Sequence, residues 1–235
     1  MKCTDRKKSI SFFCLICACA LMCTGCGNTP YEMAYQADSK VSSFNVVSGQ
    51  DRNVAESFAS GLCVVTEDVM DDENVDMSRA SAAILLDLNG RDILYSKNAH
   101  EVLYPASLTK VMTALVALQH GSLDQMLKAT PSVNITESGA QLCGLKSGDS
   151  MTLDQALRML LIYSANDAAM LIAENIGGTV ENFVEMMNRE ARRLGATNTH
   201  FANPHGLTDP EHYTTAYDLY LILNEAVKYD TFNEI

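Results

Sequence analysis

Asn89-Gly90 stands between two strand-like runs, Ala82 to Leu88 and Asp92 to Ser96. Both residues of the dipeptide tolerate positive φ, so the pair predicts a β-hairpin. Downstream of residue 100 most of the chain reads as helix or loop. Val111, Leu115 and Leu118 recur at spacings of four and three after Pro105, and Gly121 supplies a stop. Thr130 to Ser150 is rich in Ser, Thr and Gly and predicts loops with short strands. Thr152 and Gln155 have the spacing of a capping box ahead of a stripe of Leu153, Ala156, Leu157, Leu160 and Leu161. Three more helices are expected: about 167–175, stopped by Gly177-Gly178; about 180–194, stopped by Gly195; and one from the Thr215/Asp218 pair to about residue 228. A hairpin and then segregated helices, without βαβ alternation, predict an α+β domain. One hairpin cannot bury both faces of a sheet, so further strands are expected, and none is legible in the last residues.

The N-terminal stretch obeys a different logic. Lys2, Arg6, Lys7 and Lys8 precede an apolar run from Ile10 to Met22. That is the order of a secretory signal, and the run falls short of the roughly 20 apolar residues of a spanning helix. Cys23-Thr24-Gly25-Cys26 resembles the cleavage box of bacterial lipoproteins, with Cys26 the lipidated residue, although Cys23 stands where Leu is usual. Simple cleavage and an uncleaved anchor are the alternatives, and all three place the body outside the cytoplasm. Residues 1–25 are therefore expected as a signal peptide and 26–78 as a polar, acidic linker. Leu62-Cys63-Val64-Val65 interrupts the linker as a candidate edge strand. Only Cys63 and Cys143 remain in the body, either as one disulfide or as two free thiols. No Cys-x-x-Cys accompanies them, so a structural zinc is not expected. The formal net charge is −12 although the first 25 residues are basic. An acidic body argues against binding nucleic-acid phosphates.

Ser107-Leu108-Thr109-Lys110 is the stretch with the clearest chemical potential. In a helix, positions i and i+3 share a face, so the Lys110 amine can approach the Ser107 hydroxyl. A serine needs a base to become a nucleophile, and a lysine becomes one only when its pKa falls. The bland alternative is a helix-capping serine with a solvated lysine one turn later. Against it, the tetrad occurs once and enters an apolar helix just after Pro105. Ser164-x-Asn166 carries little by itself, because Ser-x-Asn recurs at Ser43, Ser96 and Ser132. Its place between two predicted helices is what singles it out, since a loop there can return a hydroxyl and an amide to a cleft. His205 and His212 are expected to be structural, because a lysine already fills the role of base.

Ser-x-x-Lys ahead of Ser-x-Asn is the order found in β-lactamases and penicillin-binding proteins. The stretch Tyr104-Pro-Ala-Ser-Leu-Thr-Lys-Val-Met-Thr-Ala resembles the active-site segment of low-molecular-mass D-alanyl-D-alanine carboxypeptidases. Ser138-Gly-Ala, Leu145-Lys146 with Gly148-Asp149, Asn203-Pro-His-Gly-Leu and His212-Tyr-Thr-Thr-Ala are similar to that family as well. The resemblance runs from about residue 80 to 227. It implies a β-lactamase/transpeptidase-like fold, with residues 79–235 an incomplete catalytic domain lacking its C-terminal strands. It implies Ser107 as the acylated nucleophile, Lys110 as its base, Ser164 in proton transfer and Asn166 as a substrate-holding amide. The implied reaction removes the terminal D-alanine from peptidoglycan stem pentapeptides, with β-lactams as substrate mimics and no metal or organic cofactor. The family's third element, Lys-Thr/Ser-Gly, comes after Ser-x-Asn in chain order. Here Lys146-Ser147-Gly148 precedes Ser164, so it is expected to be a loop coincidence, and the chain as it stands is expected to turn over substrate poorly. The alternatives are a serine β-lactamase and a non-catalytic lipoprotein that binds cell-wall peptide.

Overall fold

The computed structural model describes residues 61–69 and 76–235. The expected signal segment 1–25 and Cys26 lie outside the described residues. No helix among the described residues is long and apolar enough to cross a membrane.

The hairpin forms where the sequence puts it. Strands β1 (Ala83–Asp87) and β2 (Asp92–Lys97) pair antiparallel, with Ala83 opposite Lys97 and Asp87 opposite Asp92, and a register shift between Leu85 and Leu86. The turn differs in detail from a two-residue Asn-Gly hairpin. Four residues connect the strands, and the positive φ falls on Arg91, at 60°. The Asp87 carboxylate accepts the Asn89 N–H at 2.9 Å and so builds the longer loop. A second small sheet joins β3 (Met126–Lys128) to β4 (Ser150–Thr152), so the short strands expected within Thr130 to Ser150 flank that stretch instead.

Among the described residues six α-helices come after the hairpin: α1 (Thr109–His120), α2 (Leu153–Leu161), α3 (Asn166–Gly177), α4 (Val180–Leu194), α5 (Ala216–Ala226) and the short α6 (Asp230–Glu234). Their starts are set by local chemistry. Thr152 and Gln155 cap α2 reciprocally, Thr179 accepts the Asn182 N–H at α4, and Thr215 accepts the Asp218 N–H at α5. Gly195 ends α4 in the left-handed region, φ 83°. Along α4 the buried positions Phe183, Met187, Ala191 and Leu194 have spacings of four, four and three, which is one helical stripe. That stripe meets α1 and α3 in a core built from Met112, Leu115, Leu157, Leu160, Ile172, Phe183, Met187, Phe201 and Ile222. Full burial of each such side chain stabilises the fold by on the order of 2 kcal/mol. The outer face of the hairpin is not covered among the described residues. Leu85, Leu88 and Leu94 stay exposed, and a groove of about 370 Å³ runs between β1, Leu108, Val111 and Leu223.

Residues 61–69, expected as part of a solvated linker, dock on this domain instead. Cys63 and Val65 are buried. The Tyr220 hydroxyl accepts the Cys63 N–H at 2.9 Å, and the Tyr217 hydroxyl donates to the Cys63 carbonyl at 3.0 Å. Leu62 to Val65 forms no strand; a single antiparallel bridge falls later, between Val69 and Ser96. Two tyrosine hydroxyls satisfy the backbone here, so the apolar residues can be buried without a ladder. Cys63 and Cys143 are both free thiols.

Candidate active site

Pro105 leads into a 3-10 turn, Ala106–Leu108, that runs directly into α1. Ser107 sits in the 3-10 turn and Lys110 in the first turn of the α-helix. Positions three apart at a helix start share a face, which brings these two side chains together. Ser107 is exposed, whereas Lys110 is only 3% exposed. The Lys110 amine lies 3.4 Å from the Ser107 hydroxyl and donates to the His205 carbonyl at 2.7 Å. Burial lowers the Lys110 pKa to about 8. A dry amine one turn from an exposed hydroxyl is the pairing that activates a serine.

The acceptor for Lys110 comes from the Asn203-Pro-His-Gly loop, which is braced by its own first residue. Asn203 Oδ1 accepts the Gly206 N–H at 2.7 Å and the His205 N–H at 3.3 Å, while Asn203 Nδ2 donates to the Leu207 carbonyl at 3.0 Å. The Thr113 hydroxyl donates to the Pro204 carbonyl at 2.6 Å, one turn further along α1. Gly206 is required by both φ and space: its φ is +89°, and a Cβ there would clash with the Ala106 carbonyl oxygen. His205 itself is buried, and its Nδ1 accepts the Leu207 N–H. Burial, helped by the Lys110 and His212 charges, pushes its pKa down to about 4. It is a neutral structural imidazole, as expected, but its carbonyl is part of the site. Sequence reasoning missed that contribution because a backbone acceptor leaves no residue-type signal.

Ser164 occupies the link between α2 and α3 with φ at 60°, a left-handed conformation that costs a non-glycine residue about 1–2 kcal/mol. Asn166, buried, opens α3, and its N–H donates to the Gln141 carbonyl at 2.8 Å. Asp167 ties the neighbouring loop down. Its carboxylate accepts the N–H groups of Cys143, Gly144 and Leu145 at 3.1, 2.8 and 2.9 Å, and the Cys143 thiol at 3.2 Å. Burial works to raise the Asp167 pKa, but these hydrogen bonds outweigh it and hold the carboxyl below its usual range. No hydrogen bond among the described residues joins Ser164 or Asn166 to Ser107 or Lys110. Lys146-Ser147-Gly148 lies in an exposed turn and not in a strand. Among the described residues no group of three His, Cys, Asp or Glu side chains could hold a metal ion.

These features agree with what the chain is similar to. A family model described as D-alanyl-D-alanine carboxypeptidase matches residues 69–235. The D-alanyl-D-alanine carboxypeptidase DacF of Bacillus subtilis is 39% identical over 158 residues, which is 66% of this chain and 41% of that protein. Among solved structures, the D-alanyl-D-alanine carboxypeptidase DacD from Francisella tularensis is 32% identical with a TM-score of 0.59, over 72% of this chain and 40% of that one. A mutant of the Streptomyces K15 DD-transpeptidase is 29% identical with a TM-score of 0.62, over 66% of this chain and 63% of that one. The expected α+β, transpeptidase-like fold is therefore the fold of the chain. The chain spans about two fifths of the length of DacF and of the DacA of Haemophilus influenzae, at 41% and 43%. With its matched segment covering the hairpin, the Ser107 turn and all six helices, the chain belongs to the D-alanyl-D-alanine carboxypeptidase family.

Proposed function

We propose that this chain carries the acyl-transfer site of a serine D-alanyl-D-alanine carboxypeptidase, with Ser107 as nucleophile and Lys110 as its base. The observation that carries the reading is the buried Lys110 amine, with its pKa lowered to about 8, lying 3.4 Å from the exposed Ser107 hydroxyl. Neutral Lys110 takes the Ser107 proton as Oγ bonds to the carbonyl carbon of the penultimate D-alanine. The C–N bond then breaks, and the terminal D-alanine leaves with a proton on its amine. Water hydrolyses the resulting ester and returns Ser107 to its starting state. Ser164 passes the proton to the leaving amine and Asn166 holds the substrate. The support for both roles is their place at the α2–α3 junction, where one is held at positive φ and the other is buried at a helix start.

The substrate in this reading is a peptidoglycan stem pentapeptide, and a β-lactam acylates the same hydroxyl. The body works at the outer face of the membrane or in the cell-wall space, tethered through lipid on Cys26 or through the signal segment. That placement rests on the sequence of residues 1–28.

Incubation with a fluorescent penicillin tests the reading. The label is expected on the peptide containing Ser107, absent in Ser107→Ala and slowed in Lys110→Ala. A slowly released adduct fits a carboxypeptidase, and rapid release points to a β-lactamase. Stem-peptide binding with no label on Ser107 would replace the proposal with a non-catalytic binding protein.

A further inference from the structure

Ala106, immediately before the nucleophile, holds a left-handed φ of 48° although it is not glycine. Something must fix that carbonyl, because relaxing it would rotate Ser107 away from Lys110. Two contacts do so. Gly206 packs against the carbonyl from one side, and the Thr109 hydroxyl donates to it at 2.8 Å. Thr109 is fully buried, and its oxygen also meets His212 Nε2, at 2.7 Å. The other ring nitrogen of His212 accepts the Ala202 N–H at 3.0 Å. A neutral imidazole whose Nδ1 accepts must carry its proton on Nε2. The direction of the chain is then fixed: Ala202 N–H to His212 Nδ1, His212 Nε2–H to Thr109 Oγ1, Thr109 O–H to the Ala106 carbonyl. His212 is only 2% exposed and stacks edge-on against Phe201, so the ring has little freedom to turn.

We infer that His212 is a positioning residue, which acts through the Thr109 hydroxyl to hold the strained Ala106 carbonyl and so keep Ser107 within reach of Lys110. The inference rests on the acyl-transfer reading of the site. It adds residues that touch neither substrate nor base. The relay also explains why the link spans 103 residues of chain: the turn that carries the nucleophile is fastened to the same 202–212 segment whose His205 carbonyl holds the lysine. A direct bond from His212 to Ser107 is not part of the arrangement, so the imidazole is not a second base.

The test separates hydroxyl from bulk at position 109. Thr109→Val keeps the shape and removes the relay, whereas Thr109→Ser keeps the hydroxyl. Acylation of Ser107 by a fluorescent penicillin is monitored by stopped flow, resolving the non-covalent dissociation constant from the acylation rate constant. Thr109→Val and His212→Gln are each expected to lower the rate constant by about tenfold or more with little change in the dissociation constant, since a small misplacement of reacting groups has such effects. Thr109→Ser is expected to restore it to within about twofold. The double variant is expected to be no slower than the slower single one, because both break one chain. Wild-type rates in Thr109→Val, no rescue by serine, or additive losses in the double variant would each overturn the inference. If wild-type protein fails to label, the acyl-transfer reading falls, and ¹⁵N NMR of the imidazoles still decides the relay. A neutral Nε2–H tautomer for His212 that is disturbed by Thr109→Val but not by Thr109→Ser supports it, and an Nδ1–H tautomer overturns it.

Discussion

The Lys110 amine donates to the His205 carbonyl at 2.7 Å, across 95 residues of sequence. One N–H direction is thereby pinned, and the amine faces the Ser107 hydroxyl from a fixed position. The carbonyl gives the buried group a partner without supplying the negative charge that would stabilise its protonated form. That combination leaves the pKa lowered by burial, to about 8.

The rate of Ser107 acylation is therefore expected to rise with pH through about 8 and level off above it, because only neutral Lys110 accepts a proton. Lys110→Arg, which stays charged, is expected to lose about 10²–10⁴-fold in rate. The same shift has a stability consequence. The folded pKa lies below the unfolded value, so the unfolded chain binds more protons between about 8 and 10.5. Stability from this residue rises with pH across that window, and Lys110→Met should flatten the rise in denaturant midpoints. A pH-independent acylation rate would contradict the assignment of Lys110 as base.

His205 and His212 are both pushed down to about 4, chiefly by burial. Their folded pKa values lie below the ordinary 6.5, so the unfolded state takes up more protons between those limits. The stability they confer is fully present above about pH 6.5 and is lost as pH falls toward 4. Each contributes up to about 3 kcal/mol. Urea titrations between pH 4 and 7 should show this slope, and His205→Gln should reduce it.

Gly206→Ala drives a methyl into the Ala106 carbonyl oxygen at a φ of +89°. The expected loss is at least about 2 kcal/mol of stability, together with impaired penicillin labelling. Gly178 provides the contrast, since its φ of +77° faces open space. Gly178→Ala should cost only about 1 kcal/mol and leave labelling intact. Equal effects at both positions, read by thermal melts and labelling, would show that the close approach to Ala106 is unimportant.

Asp167 holds the 143–145 loop against the start of α3 with three backbone hydrogen bonds and one from the Cys143 thiol. Burial and this carboxylate push the Cys143 pKa up to about 12, so the thiol should alkylate slowly at pH 8. Asp167→Ala is expected to destabilise the protein by on the order of 3 kcal/mol, because three N–H groups lose their acceptor. It should also speed iodoacetamide labelling of Cys143 by about tenfold or more as the thiol recovers a more ordinary acidity. Cys63, buried elsewhere, serves as the internal control. Unchanged Cys143 reactivity in the variant would remove the carboxylate as a cause.

Much of the fold was legible because its signals are local. The Thr152/Gln155 box, the Thr215 cap and the Gly195 stop act within four residues, and each appears where the sequence places it. The hairpin was legible as well, though its turn geometry passed from Asn89-Gly90 to a longer loop shaped by Asp87. The docking of residues 61–69 was not, because a polar, acidic stretch reads as linker until the hydroxyls of Tyr217 and Tyr220 are known to satisfy its backbone.

The sequence by itself determined that a serine and a lysine stand three residues apart at the entrance to an apolar helix, since spacing and period are properties of the chain. Only the tertiary structure decided that this lysine is dry, that a carbonyl from the 203–206 loop holds it, and that Thr109 and His212 fasten the turn beneath it. The reason is physical: desolvation and hydrogen bonding across about a hundred residues depend on which segments pack together, and no local pattern encodes that.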